Sequence, residues 1–100
     1  MARFGVYRAR GSSVLLLDCQ SDVVDLGRRL MVPLLPEAGA EIPARMPGLH
    51  PVFTIRSERL VMATHLMASV PDREIGAKLL SLSQEADQIM RAIDYLLSGY

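Results

Sequence analysis

The feature that most constrains this chain is a change of period at Ser83. Beyond it the apolar residues Ala86, Ile89, Met90, Ile93, Leu96 and Leu97 recur at three and four, with Glu85, Asp87, Gln88, Arg91 and Asp94 on the other face. That spacing predicts one amphipathic helix. Ser83 is placed to cap it, Glu85 and Asp87 put negative charge where the helix dipole favours it, and Gly99 is placed to end it. Before Ser83 the apolar residues come in short β-forming runs broken by turn residues. Strands first and a single helix last predict an α+β fold, with a twisted antiparallel sheet or open barrel carrying the helix.

The runs can be placed one by one. "RFGVYRA" (Arg3 to Ala9) and "VLLLDC" (Val14 to Cys19), joined by the turn residues Arg10 to Ser13, read as a hairpin. The unbroken "VLLL" predicts a strand covered on both faces. Gln20 to Arg29 is turn-prone, which puts Val23 and Val24 on a loop facing solvent and makes Arg28 and Arg29 a solvated turn. "LMVPL" (Leu30 to Leu34) reads as a strand, and Pro33, lacking a donor, predicts an edge or a bulge.

Pro36 to Pro51 holds four of the six prolines and reads as a long surface loop. Further strands are expected at Val52 to Ile55, Arg59 to Thr64 and Leu66 to Val70, with Arg56 to Glu58 as a tight connection. Asp72 to Leu82 is ambiguous, because Gly76 interrupts it and "AKLLSL" fits either a short helix or an extended stretch.

Composition narrows the function. One hundred residues suit a single domain spanning 1–100, and half of them are apolar, more than so small a chain can readily bury. Part of that surface is expected to enter a partner or a second copy. Eleven basic and eleven acidic residues cancel, which weighs against general nucleic-acid binding. With one cysteine, Cys19, there is no disulfide framework, and no Cys/His spacing suits zinc. Cys19 reads as a small buried hydrophobe that resists alkylation. His50 and His65 have no nucleophile at recognisable spacing and read as structural. Ile89, Met90 and Ile93 are expected in the core, and Met62 and Met67 fill core gaps or line an interface. No secretory signal and no apolar run long enough to span a membrane is visible, so a cytoplasmic, membrane-free protein without cofactor or metal is expected.

"QSDVVDLGRRLMVPL" (Gln20 to Leu34), "MASVP" (Met67 to Pro71), Ile75 with Gly76, and Leu82 and Ser83 through "AIDYLLSGY" resemble the CcdB family of toxins, in order and spacing, over the whole chain. The resemblance implies an SH3-like barrel with a C-terminal helix, a symmetric homodimer, and no catalysis. It implies a toxin that binds the DNA gyrase A subunit, traps the enzyme on cleaved DNA, and is neutralised by a CcdA-like antitoxin, as in plasmid maintenance. Carried over residue by residue, the gyrase-contacting positions fall on Val23, Val24, Asp94, Leu97, Ser98, Gly99 and Tyr100. Of the family's helix-end residues only the glycine is retained. Val23 and Val24 stand for isoleucines, and Ser98 stands for a tryptophan this chain lacks altogether.

Two alternatives stand beside this reading. One is a MazF-type mRNA endoribonuclease, which shares the barrel and would draw on Arg56, Glu58 and Arg59. The other is a CcdB-like protein that binds its antitoxin but has lost gyrase poisoning. The apolar pattern that runs to the end of the chain predicts that the helix tip is the working surface.

Overall fold

The computed structural model describes residues 1–39 and 46–99. The elements are β1 (Gly5–Ala9), β2 (Leu15–Asp18), β3 (Arg28–Pro36), β4 (Val52–Ile55), β5 (Glu58–Met62), β6 (Ala68–Pro71), β7 (Ile75–Ser81) and the helix α1 (Ala86–Ser98). The strands form one antiparallel sheet in the order β4-β5-β3-β2-β1-β7, with β6 also paired to β3. The sheet curls into a half-barrel with α1 packed in its concavity, the α+β architecture expected from the change of period.

The long strand β3 organises the curl. One of its edges pairs with β2 from Met31 to Leu34. The other is shared, with β6 along Arg28 to Met31 and β5 along Leu34 to Pro36. Pro33 therefore lies in the middle of the sheet, contrary to the edge or bulge expected of it. Its carbonyl accepts from the Ala63 amide at 3.0 Å. In an antiparallel strand the amide and carbonyl of one residue point the same way, so the missing donor of Pro33 faces the gap between the end of β5 and the start of β6. Nothing there needs it.

Other boundaries shift for local reasons. Leu66 to Val70 is not one strand: Thr64–Leu66 forms a 3-10 turn and β6 begins at Ala68. The ambiguous Asp72 to Leu82 segment resolves into a 3-10 turn at Asp72–Glu74 followed by β7. Gly76 marks close strand approach, since a Cβ there would sit 2.7 Å from the Arg8 carbonyl oxygen of β1. Ser83 does not cap α1. It opens a 3-10 turn, Ser83–Glu85, whose backbone bonds from Glu85 N to Leu82 O and from Ala86 N to Ser83 O meet amides that a side-chain cap would otherwise serve. Gly99 ends the helix as expected, with φ +82° and its amide on the Tyr95 carbonyl at 2.9 Å. Arg56 and Ser57, both at positive φ, make the tight turn between β4 and β5.

The main core joins Val6, Leu17, Val32, Leu34, Phe53, Ile55, Leu60 and Met62 of the sheet to Ile89, Ala92 and Ile93 of α1, with Met67 and Met90 packed against it. A smaller cluster of Tyr7, Leu16, Met31 and Ile75 lies on the opposite face. Leu16 and Leu17 enter different clusters, so β2 is covered on both faces as the unbroken apolar run predicts. Cys19 is buried in the main core, where burial first and the neighbouring Asp18 carboxylate second push its thiol pKa up to about 12. A thiol of that kind is not a nucleophile at neutral pH. The long Pro36 to Pro51 loop lies partly outside the described residues. Its described ends are the close of β3 at Pro36 and a turn at Met46 to His50, where the His50 amide reaches the Met46 carbonyl at 2.7 Å.

Candidate functional site

Among the described residues the most exposed large apolar side chains, Val23, Leu97 and Leu26, lie on the loop between β2 and β3 and at the end of α1. The loop owes its shape to polar groups beneath it. The Gln20 side chain donates through Nε2 to the carbonyls of Val24 (2.8 Å) and Arg28 (3.0 Å), and its Oε1 accepts from the Leu30 amide at 3.0 Å. One amide side chain thus satisfies three backbone groups across the mouth of the loop. Asp22 Oδ1 accepts from the Arg3 amide at 2.8 Å. That bond first, and the Arg29 guanidinium second, hold the Asp22 carboxyl below its ordinary pKa.

Arg29 is the second brace, and it is not the solvated turn residue its neighbours suggest. It is 7% exposed, and Nε and Nη2 reach Asp18 Oδ2 at 2.9 and 2.8 Å. Nη2 also donates to the Gln20 carbonyl (3.1 Å) and to Asp22 Oδ1 (3.2 Å). Asp18 is wholly buried, and its Oδ1 accepts from the Gln20 amide at 3.0 Å. Burial works against the Arg29 charge, but the carboxylates of Asp18 and Asp22 outweigh it and hold its pKa above the ordinary value. Arg28 stays exposed and donates to Ser69 on β6. The sequence hides the pair because it depends on β2 and β3 lying side by side. The visible signal is an aspartate closing an otherwise apolar strand.

On this braced frame Val23 is 91% exposed and Val24 38% exposed. The end of α1 is built differently. The residues it buries stop at Ile93, whereas Asp94, Leu96, Leu97, Ser98 and Gly99 are all exposed, Leu97 at 75%. Tyr95 is half-buried beside Gly48, so the helix leaves its core over the last three residues, with Leu97 in solvent. Tyr100 lies outside the described residues.

Arg3 links the two features. Its amide holds Asp22 in the loop, and its guanidinium crosses the Phe4 ring at 4.8 Å and reaches Met90 Sδ of α1 at 3.1 Å. Met90, Asp94 and Leu97 fall within about 60° around the helix axis, so the stripe that Arg3 touches at Met90 continues to the tip. Sequence reasoning missed the half-buried Arg3 and Gln20 and the buried Asp18–Arg29 pair.

The histidines and the charged residues around the β4–β5 turn have structural partners or roles. His50 is buried and its Nδ1 accepts from the Met46 amide at 3.0 Å. Its Nε2 therefore carries the proton and donates to His65 Nδ1 at 2.9 Å. Arg59 forms a two-pronged ion pair with Glu37, while Arg56 turns the β4–β5 hairpin. Among the described residues no group of His, Cys, Asp and Glu is arranged to hold a metal ion, and no helix is long and apolar enough to cross a membrane.

The family model for the CcdB protein matches residues 3–99. The chain belongs to the CcdB family. The match spans the sheet, the braced loop and α1 to the glycine that ends it, so both exposed features lie within the shared part of the chain. Membership in the CcdB family points to the toxin side of a toxin–antitoxin module.

Proposed function

We propose that this protein is the toxin of a type II toxin–antitoxin module, which binds the DNA gyrase A subunit in the cytoplasm and traps the gyrase–DNA cleavage complex without performing chemistry itself. The observation that carries this reading is the end of α1, where Leu97 is 75% exposed beyond Ile93, the last residue the helix fully buries. On this reading the gyrase-contacting residues are Val23 and Val24 of the braced loop and, at the end of the chain, Asp94, Leu97, Ser98, Gly99 and Tyr100. The toxin acts as a single domain and as a homodimer, whose two-fold axis presents these residues twice. A CcdA-like antitoxin releases the target by covering them.

Ser98 offers no aromatic anchor. Anchors of that kind commonly contribute about 2 kcal/mol or more, so poisoning is weaker than in family members with the tryptophan. The test is direct. Purified protein is added to gyrase and supercoiled DNA, and linear DNA is scored after denaturation. Accumulation of cleaved DNA is expected, and its absence at toxin concentrations far above those of gyrase overturns the reading. Light scattering at micromolar concentration should return the dimer mass.

A further inference from the structure

We propose that the second apolar contact of the loop is Leu26 rather than Val24, so that the loop engages its target through Val23 and Leu26. The inference rests on the gyrase reading above and revises it at one position, with Leu26 taking the place of Val24. Leu26 is 71% exposed, close to twice the exposure of Val24, and it belongs to neither core cluster. Val24 is 38% exposed, and its backbone is tied to the frame on both sides: its amide donates to the Ser21 carbonyl at 3.1 Å, and its own carbonyl accepts from the Gln20 side chain.

A lone exposed leucine on a soluble protein needs no explanation. Leu26 differs because its backbone is fixed on both sides. Before it, Gln20 clamps Val24. After it, Gly27 takes φ +69°, its amide donates to Asp25 Oδ1 at 3.4 Å, and its carbonyl accepts from the Asp72 amide at 3.0 Å. Asp25 thereby closes a short turn around Leu26 and leaves the side chain pointing out. The chain holds an apolar group in water in one place, so the ordering cost that a mobile loop would bear on binding is already met. Val23 and Leu26 are three residues apart, at most about 11 Å between Cα atoms, which is within one contact patch. The occupant is an apolar surface on the gyrase A subunit, continuous with the one that takes Val23.

The test compares Val23→Ser, Val24→Ser and Leu26→Ser for binding to purified gyrase A subunit. Val23→Ser and Leu26→Ser are each expected to weaken binding by about tenfold or more, and Val24→Ser by less. Unfolding midpoints of the Leu26 variants should stay at the wild-type value, since the side chain packs on no core residue. Leu26→Ala serves as a second variant, and Leu26→Met should retain binding. A loss at Leu26 no larger than that at Val24 overturns this inference while wild-type binding leaves the gyrase reading standing. Failure of the wild-type protein itself to bind overturns both.

Discussion

The loop and the helix tip both hold apolar side chains in water, yet they are supported in opposite ways. The loop is braced by buried charge, with Asp18 and Arg29 locked together, Arg29 reaching Gln20 and Asp22, and Gln20 drawing its two ends closed. The tip extends beyond the last residue that α1 buries, ended by Gly99. The loop is held by side-chain hydrogen bonds from Gln20 and Arg29, whereas the last turn of α1 is held by backbone bonds and closed by the Gly99 amide on the Tyr95 carbonyl.

The comparison can be broken most severely at the loop's support. Arg29→Ala leaves Asp18 buried and uncompensated and should cost about 3–5 kcal/mol of folding stability, read by urea denaturation. Replacing both Asp18 and Arg29 with leucine should recover most of that loss but leave the loop loose, because Arg29 also holds Gln20 and Asp22. An unaltered midpoint in Arg29→Ala would show that the pair does not support the fold.

At the tip the expected effect moves from folding to binding. Leu97→Ser should weaken gyrase binding by about 2 kcal/mol while the unfolding midpoint stays put, since the side chain is mostly in solvent. Removing residues 98–100 should abolish killing with the fold and dimer kept. Equal toxicity of the truncated chain would reduce the tip to a mere helix end. A smaller effect is expected of Gly99→Ala, which forces a Cβ into the left-handed region and should fray the last turn at a cost of about 1 kcal/mol, seen as faster amide exchange near Leu97.

The smallest effect concerns pH. The Asp22 carboxyl titrates below its ordinary value of 3.8, so its tether to Arg3 is fully present above that value and is lost as pH falls through the lowered pKa. An NMR titration should show the Arg3 amide shift following Asp22 with a midpoint under 3.8. The helix-tip amides should stay flat over the same range. A shared transition would mean that the loop and the tip are a single unit coupled through Arg3.

Much of this architecture could be read in advance because it rests on local chemistry. The period change at Ser83, the stop at Gly99, the doubly covered β2 and the exposed Val23 each follow from side-chain spacing or backbone freedom within a few residues, and the resemblance to the CcdB family rests on motifs within single segments. What could not be read depends on neighbours distant in sequence. Arg29 looks like a solvated turn residue until β3 is laid beside β2, and Pro33 looks like an edge marker until β5 and β6 are seen to part opposite it. Gly76 looks like a break until β1 crosses it. The chain by itself determined which side chains are apolar and where its helix must end. Tertiary structure decided which of those side chains remain in water, because burial is a property of pairs of elements, and it tied the braced loop to α1 at Met90 through Arg3.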